Sequence, residues 1–207
     1  MALPSGLAHE TILIMDYKIA LGVIAVTIGF IAYIPYFRDI FNGKTKPHVF
    51  SWFVWSVSAG IAFSAQIVKG AGPGAWVTGF TAIVCASIAI AAFFRGEKNI
   101  TKIDWISFIS ALFGVVFWQL TSNPFTAVIL VTIADILAFI PTIRKAYKKP
   151  LEETASTYSL NALKYAVSLM ALQSLNSTTF LYPAYLVLAN GLFVIMLFVR
   201  RKTTATA

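Results

Sequence analysis

The chain has 207 residues, 58% of them hydrophobic and only 12% charged, with a mean hydropathy of +0.79. Soluble globular domains carry about a quarter charged residues, so this composition excludes that class and predicts an all-α integral membrane protein. Sixteen Lys and Arg against eight Asp and Glu give a net charge of +8; the basic residues fall in short gaps between apolar runs, which assigns the excess to a lipid surface and excludes a nucleic-acid partner.

At about 20 apolar residues per spanning helix, the sequence predicts seven transmembrane helices: residues 19–37, 49–68, 76–94, 105–120, 125–143, 155–175 and 180–199. The fourth is short and the sixth is polar. Turn residues separate them, with Asn42-Gly43 after the first, Gly70 to Gly74 between the second and third, and Ser122-Asn-Pro124 before the fifth. Residues 1–17 carry Glu10 and Asp16 and no basic run, so the first span is expected to stay in place and not to be cleaved as a signal peptide. The single cysteine, Cys85, lies inside an apolar run and excludes an intrachain disulfide or a Cys-ligated metal.

The gaps after helices 1, 3 and 5 and the C-terminal tail hold thirteen Lys and Arg, whereas the opposite side holds only Lys18 and Lys69. This asymmetry predicts an N-terminus outside and a C-terminus inside, in a multi-pass protein of the cytoplasmic (plasma) membrane.

Two stretches match at a constant offset of 106 residues: Gly29-Phe-Ile-Ala-Tyr-Ile-Pro35-Tyr-Phe-Arg38 and Asp135-Ile-Leu-Ala-Phe-Ile-Pro141-Thr-Ile-Arg144. Arg95 falls on Arg201 at the same offset. Helices 1–3 then correspond to helices 5–7, with helix 4 left over. Four helices separate the two starts, so both copies enter the membrane in the same direction and form parallel repeats. The predicted organisation is an extracytoplasmic segment (1–18), a three-helix repeat (19–95), linker helix 4 with its loops (96–124), a second three-helix repeat (125–201) and a cytoplasmic tail (202–207).

This 3+1+3 arrangement, with Pro and then a basic residue near the inner end of helices 1 and 5, resembles the SWEET and PQ-loop transporter superfamily. The Pro-Gln dipeptide is absent, since Tyr36 and Thr142 follow the two prolines. The resemblance implies a pocket lined from helices 2, 3, 6 and 7. Asn190 matches the helix 7 Asn, but the helix 3 position is Val84; Trp55 stands for a helix 2 aromatic, but its helix 6 counterpart is Asn161. The substrate class is left open.

Ionisable groups inside a bilayer cost at least ~2.5 kcal/mol on insertion scales and mark functional positions. Asp135, Lys164 and Asn190 each lie ~12–13 Å from the cytoplasmic end of their helix, so they share one layer, and Asn161 sits on the face of Lys164. Asp135 and Lys164 are expected either to form a structural ion pair or to serve solute or proton coupling. The candidate solute-binding residues are Trp55, Ser58, Asn161 and Asn190, and the candidate hinges are Pro35 and Pro141. Trp52 reads first as an interfacial anchor, and Ser56, Ser58, Gly60, Thr81 and Ser87 read equally as small residues for close packing. His9 and His48 fall outside the spans, with His48 solvated or capping helix 2, so no His-based metal site is expected.

The function predicted is transport of a small polar solute by alternating access, proton-coupled through Asp135, with no cofactor and no metal. Alternatives are a membrane binding or sorting receptor on the same fold, or a small ion channel. An enzyme is disfavoured because one buried acid cannot form a catalytic group. The partners expected are the solute and the bilayer, with self-association open.

Overall fold

The structure is a computed structural model that describes the backbone of residues 5–120 and 122–205, and side chains from residue 17 to 203 except 114, 118, 119 and 121. Its described residues form seven α-helices: α1 (Ser5–Phe41), α2 (Val49–Val68), α3 (Trp76–Arg95), α4 (Lys102–Gln119), α5 (Pro124–Lys148), α6 (Ala155–Met170) and α7 (Ser177–Ala205). Two 3-10 turns, Gly72–Ala75 and Pro150–Glu152, precede α3 and α6. Residues 1–4 and 206–207 of the predicted terminal segments lie outside the described residues; 5–18 and 202–205 continue α1 and α7.

Five helical stretches are long and apolar enough to cross a membrane: Tyr17–Phe41, Val49–Val68, Gly72–Arg95, Pro124–Lys148 and Ser177–Thr203. The remaining two helices, α4 and α6, are those that the sequence reads as short and as polar. Phe30, Ile83, Ile90, Phe93, Phe94 and Leu188 all face outward and are exposed, an apolar surface that suits lipid and not water.

Six helices close a ring, each packing on the next in the order α1, α3, α2, α5, α7, α6 and back to α1, while α4 leans on α5 and α2 from outside. Local chemistry sets the ends of the elements. Asn123 caps α5 by accepting from the Phe125 N–H at 2.9 Å, and Pro124 fills the first helical position, where no N–H is needed. Helix α2 ends in a Schellman turn, with Ala71 N–H on Gln66 C=O and Gly70 N–H on Ile67 C=O. Gly70 adopts the φ of +73° that such a turn requires.

Helix α6 is shorter than the sequence predicts, ending at Met170 and not at residue 175. The reason is a competing partner: the Gln173 N–H bonds to Ala71 C=O at 3.0 Å, and Leu172 packs with Ala71 and Ala75. Gly72 (φ +60°) lies so close that a Cβ there would fall 2.2 Å from the Gln173 side chain. Lys18 of α1 donates to the Leu172 carbonyl, and Gln66 donates to Thr179 C=O at 3.3 Å. The end of the ring with few charges is thus tied shut between segments 66–75 and 172–179.

The charged end is tied by ions and hydroxyls. Lys46 pairs with Glu152 at 3.2 Å, the Thr45 and Thr154 hydroxyl oxygens are 2.6 Å apart, and Thr154 also donates to Asp39 at 2.9 Å. Lys145 is buried against Glu153, a carboxylate that also accepts from the Tyr36 and Tyr158 hydroxyls. Arg144 forks onto Asp104 at 2.9 and 2.6 Å, joining α5 to α4.

His48 is not solvated, and although it occupies the N-cap position of α2 its side chain does not cap the helix. It is fully buried, makes no capping hydrogen bond to α2 and stands 3.5 Å from the Asp104 carboxylate. Burial pushes its imidazole below the ordinary value; Asp104 pulls the other way, and Arg144 and Lys145 add to the lowering. A base with a depressed folded value binds more protons when unfolded, so the stability it supports is full above ~6.5 and declines as pH falls below that, by at most ~1.4 kcal/mol per pH unit. Melting temperature is therefore expected to drop between about pH 7 and pH 5. His48→Gln should flatten that part of the profile; an unchanged slope would take His48 out of the account.

Candidate functional site

Where α1 and α6 face α2 and α5, their inward side chains enclose a central cavity of about 30 Å³. From α1 comes Tyr33, from α2 Trp52 and Trp55, and from α3 Thr81 and Cys85. The second half supplies Asp135 and Phe139 from α5, Tyr158, Asn161 and Tyr165 from α6, and Tyr182, Leu186 and Asn190 from α7. Trp52, expected at the interface, is instead 2% exposed and packs edge-on against Trp55, with ring centroids 5.1 Å apart at 77°. It therefore belongs to the aromatic wall.

Asp135 and Lys164 do not pair. The Asp135 carboxylate accepts from the Tyr182 hydroxyl at 2.8 Å and from the Tyr185 hydroxyl at 2.9 Å. Lys164 donates to Thr81 Oγ1 at 2.9 Å and to the Tyr33 hydroxyl at 3.2 Å. Its ammonium also lies 4.6 Å from the centroid of the Tyr33 ring and 5.0 Å from that of Tyr165. The physical reason lies in the steric path of the lysine. Its stem crosses α1 at Gly29, where a Cβ would come 3.3 Å from Lys164 Cδ. Gly29 is the position that matches Asp135 in the other copy, so the glycine makes room for the stem and the charge is led toward α3, away from α5.

No protein-family model, curated protein or solved structure matches this chain.

The other predicted positions are distributed as follows. Trp55, Asn161 and Asn190 are on the cavity wall; Ser58 is fully buried on α2 but off that wall, as is Lys164. Trp55 Nε1 donates to the backbone carbonyl of Asp135 at 3.3 Å, so α2 is pinned to α5 at the acidic residue itself. Asn190 donates to Leu186 C=O at 2.8 Å within its own helix, whereas the buried Asn161 Oδ1 has no protein partner. Pro35 and Pro141 lie inside continuous α1 and α5, where each deletes one helical hydrogen bond. Cys85 is buried and, beyond its packing role, forms part of the wall.

Sequence reasoning missed the phenols. Tyr33, Tyr165, Tyr182 and Tyr185 supply the hydroxyls and rings that hold both buried charges. A signal was present: Tyr182 and Tyr185 are three apart on one helix face, and Tyr182 is eight residues, a little over two turns, from Asn190. Thr81, read as a small packing residue, is an acceptor for the buried ammonium.

Proposed function

We propose that this chain is a multi-pass membrane transporter that carries a small polar solute by alternating access between two parallel three-helix bundles, α1–α3 and α5–α7, with α4 as linker. In this reading the charged end faces the cytoplasm, following the distribution of Lys and Arg, and the resemblance to the SWEET and PQ-loop superfamily extends to mechanism. The order of packing supports the repeat. In the first bundle α3 lies between α1 and α2, in the second α7 lies between α5 and α6, and the bundles meet as α2 on α5 and α6 on α1.

The observation that carries the proposal is a partly polar cavity between the bundles, lined by buried residues, with separate sets of bonds joining the bundles above and below it. At about 30 Å³ the cavity has room for little more than a water molecule. A solute enters only if one set of bonds parts, and alternating access requires the two sets to open in turn. Proton coupling is assigned to Asp135, a buried acid on the cavity wall whose two bonding partners are uncharged.

Uptake by purified protein in proteoliposomes, screened over sugars, amino acids, vitamins, nucleosides and amines, tests the assignment; a protein that inserts and moves none of them would contradict it. Conductance that continues without saturating as solute is raised would favour a channel instead. Pro141→Ala restores a hydrogen bond in α5 and is expected to leave insertion unchanged while slowing uptake several-fold. Wild-type rates in that variant would remove the hinge role.

A further inference from the structure

We propose that the solute admitted when this cavity opens is an organic ammonium cation, held by Asp135 among the aromatic rings of its wall. The inference rests on the transporter reading and adds the chemical class of its substrate. Asp135 is the acid among the cavity-lining residues, and among the described residues no Lys, Arg or His stands within ion-pairing distance of it. A carboxylate kept inside a membrane bundle without a counter-ion is costly, and an occupant carrying a positive charge supplies what the protein withholds.

The walls define what kind of cation fits. Trp52 packs edge-to-face with Trp55 at 77° and with Tyr33 at 72°, so the wall is aromatic but closed, and a cation reaches the ring faces only once the bundles part. Phe139 closes on Trp55 with centroids 4.9 Å apart. Ring faces attract a cation clothed in methyl or methylene groups through their quadrupoles. The unpartnered Asn161 Oδ1 provides one acceptor for a hydroxyl or an N–H on the same solute.

Lys164 supplies an independent precedent within the same protein. Its ammonium is held by two tyrosine faces and two hydroxyls immediately behind the wall, so the surroundings already bind this functional group. The same geometry argues against a zwitterionic solute. The hydrogen bonds of Lys164 are taken by Tyr33 and Thr81, and Lys164 itself is off the wall, which leaves no cation there for a carboxylate.

The test measures binding to the full chain in lipid nanodiscs by titration calorimetry, using choline and tetramethylammonium as probes. Two counter-probes are 3,3-dimethyl-1-butanol, the uncharged isostere of choline, and glycine betaine, a zwitterion of similar size. Choline is expected to bind at least ~30-fold more tightly than the isostere, and Asp135→Asn to erase the difference. The wild-type comparison of choline with its isostere needs no variant, so the result stands even if that substitution impairs folding. Equal affinity for the isostere, tighter binding of betaine, or no binding of either cation overturns the proposal. If neither cation binds but proteoliposomes accumulate another solute, the substrate class is wrong and the transporter reading survives. If choline binds with the stated preference but is not carried into proteoliposomes, the ammonium site stands and transport does not.

Discussion

Oxidising a Thr45→Cys/Thr154→Cys double variant is expected to stop solute uptake almost completely, and a reductant to restore it. The two native hydroxyl oxygens are 2.6 Å apart, so the side chains at these positions point at one another across the bundles and cysteines there are placed to meet. Thr45 lies in the segment after α1, and Thr154 precedes α6, so the bond would staple the first bundle to the second at the charged end. Alternating access requires that end to part once per cycle. Either single Cys variant, exposed to the same oxidant, should transport at the wild-type rate. Full uptake by the cross-linked protein would mean that the bundles do not separate there, and the gating scheme would have to be abandoned. In this variant the other end remains free to open, so solute binding from that side should survive the cross-link even though turnover does not.

Asp135→Asn is expected to reduce uptake by about 100-fold and to remove any dependence on a proton gradient. The substitution keeps the shape of the side chain but not its charge, and the Tyr182 and Tyr185 hydroxyls then face a neutral amide. A hydrogen bond to a charged group contributes about 1.5–3 kcal/mol, and each 1.4 kcal/mol is a factor of ten. Tyr182→Phe removes only one of the two donors and should cost about tenfold. Because the amide is nearly isosteric, the amount of inserted protein should stay close to wild type, and normalising uptake to that amount separates a functional loss from a folding defect. Unchanged uptake with an unchanged pH profile would exclude Asp135 from the mechanism.

Direction around each helix was not legible in the sequence. Counting residues from the helix ends places Asp135, Lys164 and Asn190 at one level, but level alone does not say which neighbour a side chain meets. Lys164 is long enough to choose, and the absent side chain at Gly29 decides for it. The same blindness hides the phenols, because tyrosine is ordinary in a membrane helix and only its position against a partner helix turns it into a ligand for a charge. Trp55 and Asn190 were accessible through the family resemblance, which points to pocket positions on helices 2 and 7, and all of Trp55, Asn161 and Asn190 lie on the cavity wall. His48 could not be read, since its burial depends on Asp104 and Arg144, which arrive from helices distant in sequence. The α-helical class itself followed from apolar run lengths alone, which is why α2 appears with the predicted bounds while the end of α6, set by a bond to Ala71, does not.

The pairing of Lys46 with Glu152 has an evolutionary corollary. These residues are 106 positions apart, the spacing of the proposed repeat, so each is the other's counterpart. In a dimer of identical three-helix subunits, a residue at the two-fold axis meets its own copy, and a lysine there would oppose a lysine. Fusion of two copies into one gene lifts that restriction, since the duplicate can then mutate alone. In a chain built from two copies of one unit, a salt bridge on the axis is thus available to the fused form and forbidden to a symmetric dimer.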